Sequence, residues 1–506
     1  MTAPLPALET GAPAPRATCQ PPPPTRPDRA AGLLARTIWL WPALLTLFLG
    51  TRGSWRPQLW RDELATWSAA TRSIGELFDL LRHVDASSGA YYLLMHGWVG
   101  LFGDSATVLR LPSALALTGA AIFVTLTARR LFGLTSALIS GLLFAAVPAV
   151  SRYAQEARSY AFVMLAVSMA AWLLFRALER PTLLRWLPYA VAVAAAGALH
   201  LVSLVFLASH AVIVAMRWWR RRERGLLFGF PAAVVVGLLP VVPLMVLGQR
   251  QVARQISMLK APELHLLPGY WHGLFGSALV SVGVLALCAI PAGWARGRRQ
   301  AFEIGLIAAL PILLTWFLSK GEISYFLDRY QLYTVPAWAV LAGAGLGSLR
   351  PRGVGAAGLA VVLLLGVPDQ MRLRTTTSHE LTDGRAAAKI IEGGYRPGDG
   401  FVPLRGSVPW MMIDFEIAYY LPEHVRLKDV FAAKTPLERA DLFAQPCEQP
   451  AACLAGTDRV WVVTMGEADD PYAELPAEEA AALRASYRPT LIEHVRGLTV
   501  SLSERR

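Results

Sequence analysis

Apolar residues in this chain fall in long unbroken runs rather than in the alternation of half-buried strands or the stripes of surface helices. The first covers residues 38–50 and continues toward Trp55 and Trp60; others lie at 109–128, 134–150, 159–178, 184–199, 201–216, 226–247, 274–294, 303–319, 332–349 and 353–368. A helix needs roughly 20 such residues to cross a bilayer, so the pattern predicts about eleven membrane spans. The first run is not a cleaved signal, because no short apolar core followed by a small-residue cleavage site precedes it. From residue 370 the pattern becomes that of a soluble protein. A helix-like stretch at 385–391 stops at Gly393-Gly394, a Pro397-Gly398-Asp399 turn leads into Phe401-Val402, and runs at 460–464 and 498–502 flank a helical 478–487. These are the marks of a small α/β domain.

Composition agrees. With 54% hydrophobic and 17% charged residues over 506 positions, most of the chain must face lipid rather than one soluble core. The net charge of +12 is carried mostly by arginine, and its clusters at Arg129-Arg130, 217–224 and 296–299 sit beside apolar runs, as the positive-inside bias requires, rather than forming a nucleic-acid surface. With the N-terminus inside, all basic clusters fall on the cytoplasmic side. Residues 51–108, 151–158, 249–273, 320–331 and everything after 369 then face out. The expected domains are a disordered cytoplasmic tail over 1–36, rich in proline at 21–24, a membrane domain over 37–369, and an extracytoplasmic α/β domain over 370–506. Cys447 and Cys453 are close enough for a disulfide in an oxidising compartment or stand as two free thiols; Cys19 and Cys288 look solitary.

Candidate chemistry lies in the first outer loop. Asp62 and Glu63 are framed by Trp55, Trp60 and Trp67, and such indoles mark the membrane interface. A carboxylate pair there stands at the depth of a lipid phosphate, whereas a transporter is expected to hold its ionisable site near the midplane. The plainer alternative is that Asp62 only caps a following helix. Outward Arg158, Arg254, Lys320 and Arg329 fit either phosphate binding or snorkelling to head groups. His83, His96, His200, His265 and His272 show no metal-site spacing, and His96 in its apolar stretch suits a packed, hydrogen-bonded role.

The run Asp62-Glu63-Leu64-Ala65-Thr66, then Asp85, Tyr91-Tyr92-Leu93-Leu94-Met95-His96-Gly97-Trp98, Leu101-Phe102-Gly103-Asp104-Ser105, Leu109-Arg110-Leu111-Pro112-Ser113, Tyr153-Ala154-Gln155-Glu156-Ala157-Arg158-Ser159-Tyr160 and Asp328-Arg329-Tyr330 resembles the bacterial members of the protein O-mannosyltransferase and aminoarabinose transferase superfamily. Where relatives carry paired prolines before Tyr91, this chain has Ser87-Ser88-Gly89-Ala90. The resemblance covers about the first 370 residues. It implies an α-helical polytopic membrane protein of the GT-C type and inverting sugar transfer, with mannose as the first guess, from a polyprenyl-phosphate carrier to a hydroxyl on a protein, glycan or lipid. Asp62 is then the expected base and Glu63 its support, orienting acceptor or ligand. Arg329, Tyr330, Arg158 and Lys320 are expected at the donor phosphate, with Glu156, Tyr153, Asp85 and His96 supporting. No cofactor is required, although a divalent metal beside Asp62 and Glu63 is compatible with the residues. The expected location is a bacterial plasma membrane. The competing class is a transporter or flippase of lipid-linked intermediates, but no inverted repeat is visible.

Overall fold

The computed structural model describes residues 35–256, 259–290, 297–405 and 411–506, the side chains of 253–256 excepted. The expected tail up to residue 34, with Cys19 and the prolines at 21–24, lies outside the described residues, as do Arg296 and the side chain of Arg254. Of the unit Met1–Thr37, residues 35–37 are helical; Ile38–Arg506 make a second unit.

Within that second unit the first apolar run is α1 (Leu40–Thr51). Three helices of the first loop follow: α2 (Arg61–Ala70), α3 (Ile74–His83) and α4 (Gly89–Phe102). α3 forms where it does because Ser73 and Glu76 close a capping box and Leu77, Leu80 and Leu81 supply a buried face. α5 (Ala106–Phe132) is the first long apolar helix; α6 (Leu134–Ala146) and α7 (Pro148–Ala154) form a pair bent by 61° at Val147, which Pro148 terminates and restarts. The bundle continues through α8 (Tyr160–Glu179), α9 (Leu183–Leu199), α10 (Phe206–Arg221), α11 (Arg224–Leu238), α12 (Val242–Ile256), α13 (Leu267–Phe275), α14 (Ala278–Ala289), α15 (Arg298–Leu318), α16 (Val335–Ser348) and α17 (Arg352–Arg372).

Among the described residues six helices are long and apolar enough to cross a membrane, eight if each bent pair is one span. α1 and α9 are shorter apolar helices. The chain is therefore a multi-pass membrane protein, while the expected number of about eleven spans exceeds what length and apolarity pick out. α16 is buried almost end to end and packs on α6 through small residues: a Cβ built on Gly343 would stand 2.6 Å from the Ser140 backbone, and one on Gly347 would stand 2.9 Å from Ser136. Close approach of this kind is how helices associate where lipid removes the hydrophobic drive.

After α17 the chain builds α18 (Gly384–Gly394), β1 (Gly400–Pro403), α19 (Ile413–Tyr420), β2 (Lys428–Asp429), β3 (Ala432–Lys434), β4 (Gln445–Pro446), β5 (Arg459–Met465), α20 (Ala477–Ser486), β6 (Tyr487–Val495) and β7 (Leu498–Arg505). The main sheet has the order β2-β1-β5-β7-β6, with β1 parallel to β2 and β5 and the last two pairings antiparallel. Its core is Trp461 with Val460, Val462, Val463, Phe401 and Ile391. Cys447 and Cys453 form a disulfide, and Cys288 is a half-buried free thiol.

This sheet region is tied to the first loop. The Gln58 amide donates to Asp383 Oδ1 at 2.7 Å and accepts from the Arg385 backbone at 2.9 Å; the Tyr420 hydroxyl accepts from Leu59 N at 2.9 Å; Arg72 donates to the Asp441 carbonyl at 2.6 Å. Leu59, Leu64, Leu77, Tyr91, Met412 and Leu442 share one apolar cluster beneath these bonds.

Candidate active site

Trp60, extended at φ −96° and ψ 168°, occupies the N-cap position of α2, so Asp62 is a first-turn residue and not the cap. The helix end still favours its negative charge. Asp62 and Glu63 diverge, as adjacent residues on a helix must. Asp62 remains 22% exposed, with its Oδ2 4.0 Å from Arg329 Nη2. Glu63 is wholly buried. It takes two hydrogen bonds from Arg110, at 2.8 and 2.6 Å, and one from the Ala157 backbone at 2.9 Å, with His379 Nδ1 3.7 Å away. Burial would raise its pKa, but Arg110 and the contact with His379 outweigh it and hold the carboxyl at about 2. A carboxylate so enclosed does not reach an acceptor. Its position suits fixing the start of α2 against α5, the 155–158 turn and the chain after α17. Arg110 meanwhile also donates to the carbonyls of Ser54, Pro57 and Gln58, closing the loop before α2.

The cations around Asp62 come from two further segments. Arg158 follows α7 and donates to the Asp62 carbonyl at 3.3 Å and to the Tyr92 hydroxyl at 3.1 Å. Tyr92 in turn makes a short hydrogen bond to Asp85, which also accepts from Ser88 at 3.0 Å. The Asp85 backbone is left-handed, at φ 55°, and Gln251 of α12 holds the next residue by accepting from Ala86 N at 2.8 Å. Arg329 sits on the short helix Asp328–Thr334, over the rings of Trp60 and Tyr330 at 5.7 and 5.9 Å; its Nε is buried without a partner among the described residues. Burial disfavours both guanidinium charges, yet neighbouring tyrosines and Asp62 keep Arg158 and Arg329 firmly protonated.

Tyr153, Tyr160, His200 and Tyr330 form a ring cluster beside these arginines, with Tyr160 5.6 Å from Tyr153 and His200 4.7 Å from Tyr330. Glu156 is buried with neither carboxylate oxygen hydrogen-bonded among the described residues, 3.8 Å from Arg152. Burial pushes it up to about 8 despite Arg152. Two expected residues stand elsewhere. Lys320 gives its ammonium to the Pro262 carbonyl and lies over Trp316, and His96 Nδ1 is 3.0 Å from the Ala70 carbonyl, pinning α4 to α2. Among the described residues no group of three or more His, Cys, Asp or Glu side chains is placed to hold a metal ion. Sequence reasoning did not assign Tyr92, Tyr160, Arg110, His200 or His379 a role; the first three lie in the motif segments, whereas nothing local marks His200 or His379.

Beside the cluster opens a cavity of about 360 Å³. Tyr330, His200 and Tyr325 make its polar end, while Leu204, Met245 and Val252 stand among its apolar walls. One carboxylate, two guanidiniums and an adjoining apolar slot can hold a phosphate whose substituent is a hydrocarbon chain, and can take a proton near it.

Residues 90–247 match the family described as dolichyl-phosphate-mannose-protein mannosyltransferase. The chain is similar in structure to ArnT from Cupriavidus metallidurans in the apo state, with a TM-score of 0.61 at 15% identity over 94% of this chain and 98% of that one. It is also similar to the same protein bound to undecaprenyl phosphate, with a TM-score of 0.58 at the same identity and coverage. An oligosaccharyltransferase from Archaeoglobus fulgidus is more distant, with a TM-score of 0.49 at 11% identity over 92% of this chain and 72% of that one. No curated protein matches the chain. Its architecture is the GT-C fold, and the family match covers residues 90–247 within it.

Proposed function

We propose that the protein is an inverting transferase that moves a hexose, mannose in the first instance, from a polyprenyl-phosphate carrier to a hydroxyl acceptor at the outer face of the membrane. The observation that carries this reading is the meeting of Asp62 with Arg329 and Arg158 beside a cavity with apolar walls. The acceptor hydroxyl attacks the anomeric carbon, the bond from that carbon to the phosphate oxygen breaks, and the proton passes to Asp62. The carrier departs as a phosphate monoester bearing one more negative charge, so the leaving oxygen needs cations rather than a general acid. Arg329 fits that need with a guanidinium fork whose Nε lacks a partner among the described residues. A donor phosphate would take Arg329 from Asp62 and leave the carboxylate oxygens to the acceptor. The undecaprenyl phosphate bound to the similar ArnT supports a carrier of this class. The basic clusters support a cytoplasmic N-terminus, with α2, α3, the Asp328–Thr334 turn and the C-terminal sheet outside.

The test uses purified protein with radiolabelled polyprenyl-phosphate mannose and parallel glucose and aminoarabinose donors. General-base removal costs about 10²–10⁴-fold, so Asp62→Asn is expected to lower sugar release by that factor without loss of donor binding. Arg329→Ala is expected to weaken donor binding. Normal turnover by Asp62→Asn would remove the base assignment, and unchanged donor affinity in Arg329→Ala would remove the phosphate site.

A further inference from the structure

The C-terminal sheet contains a second place where a ligand fits. β1 lies between β2 and β5, all three parallel, so the chain leaves β1 toward one neighbour and later returns to the other side. The crevice outside the carboxyl ends of strands at such a switch point is where open α/β sheets bind ligands. Here it holds a cavity of about 730 Å³, within the range of small-molecule sites. Arg405 enters it two residues beyond β1, Asp414 comes from α19, and Glu478 and Glu479 come from the first turn of α20. Cys447 and Pro450, inside the loop closed by the disulfide, line the same wall.

The polar groups of the wall are unevenly paired. Arg405 is matched by Asp414 at 3.1 Å and by both oxygens of Asp429, and Arg439 is paired with Asp441 at 3.5 Å. Glu479 is only 8% exposed, lines the cavity, and has no hydrogen-bond partner among the described residues; the buried Nε of Arg405 has none either. A carboxylate that lines the cavity without a partner, beside a guanidinium whose Nε is also unpartnered among the described residues, leaves hydrogen-bonding capacity for a ligand. Carboxylates outnumber guanidiniums around the cavity, so a phosphate is repelled. Burial pushes Glu479 up to about 7 against the pull of Arg405. Its raised carboxyl can donate as well as accept, which suits hydroxyl groups. Leu404, Phe443, Pro446 and Pro476 give the remaining wall an apolar surface, against which the C–H face of a pyranose can lie.

We propose that this cavity is a binding site for a neutral saccharide. Its use in the molecule is to hold the glycan part of an acceptor. That use rests on the transfer reading above, whereas the binding itself does not. The test titrates the full-length protein in detergent with mannobiose, lactose, maltotriose and chitobiose, and with putrescine as a cationic control, read by saturation-transfer NMR and calorimetry. At least one saccharide is expected to bind, more than tenfold more weakly to Glu479→Ala and not measurably to Ala477→Trp, which fills the mouth from an exposed helix position. Asp62→Asn is expected to bind it as the wild type does, so a failure of the transfer reading leaves this result intact. The proposal is overturned if no neutral saccharide binds, if putrescine alone binds, or if Ala477→Trp, with unchanged melting temperature, binds as the wild type does.

Discussion

At Glu63 and Asp62 one residue step separates a group that organises the site from the group proposed to react. Glu63 is held ionised beside a fully buried Arg110, and removing one partner of such a pair leaves an uncompensated charge costing about 3–5 kcal/mol. Glu63→Gln is therefore expected to lower thermal stability in detergent sharply, whereas Asp62→Asn, with its looser contact to Arg329, leaves it nearly unchanged. The two buried carboxylates also act oppositely with pH. Glu63 titrates lower in the folded protein, so the stability it contributes is present above its ordinary value of 4.5 and is lost as pH falls toward about 2. Glu156 titrates higher, so the unfolded chain ionises first and stability declines as pH rises from about 4.5 to about 8. Glu156→Gln is expected to flatten that decline, raising the melting temperature at pH 8 relative to wild type with little change at pH 4.5. A melting curve series across pH distinguishes this from a loss of packing, which would lower stability at every pH.

Elements that the chain specifies locally were legible in its sequence, and those that depend on distant partners were not. Runs of apolar residues marked α5, α8 and α10, and turn chemistry at Gly393-Gly394 and Pro397-Gly398-Asp399 marked the end of α18 and the entry to β1. β6 was missed because it is a sheet-edge strand whose residues are mostly exposed and polar, without the apolar alternation that announces a strand. The bend at Val147 was hidden inside one apolar run over 134–150, since periodicity reports burial but not a change of direction. At the site, the motif segments bring Asp62, Arg158 and Arg329 to one place, but the expected role of Glu63 in orienting acceptor or ligand gives way to a buried pair with Arg110, 47 residues on. His379 is further still, beyond the last span. Packing of α16 on α6 makes a further prediction at this scale. Gly343→Ala is expected to destabilise by about 1–3 kcal/mol through overpacking. Ser140→Gly should not relieve it, because the Ser140 backbone itself stands 2.6 Å from the built Cβ. Rescue by that second change would show that the side chain alone is in the way.

Across the whole molecule the C-terminal region bears on the catalytic end without supplying the proposed base. Gln58 stands at the junction, three residues before α2 begins. Its backbone N–H donates to the Thr376 carbonyl at 2.8 Å, its side chain bridges Asp383 and the Arg385 backbone, and its own carbonyl accepts from Arg110 at 3.0 Å. The same Arg110 holds Glu63, so the frame running from the sheet region through Gln58 and Arg110 ends one residue from Asp62. Trp60 adds a second link, since Arg329 lies over its ring. A shift in residues 58–60 therefore moves Asp62 and Arg329 relative to one another, and small misplacements at a reacting centre cost large factors in rate. Gln58→Ala keeps the backbone bonds and removes only the side-chain bridge. It is expected to lower kcat by about tenfold or more while donor affinity, which the proposed reading gives to Arg329 and the apolar cavity, changes little. Truncation after Arg374 removes the whole frame and is expected to abolish transfer even in protein that still inserts in the membrane. Equal kcat for Gln58→Ala and wild type would mean that the sheet region serves the acceptor alone and leaves the catalytic geometry to the helices.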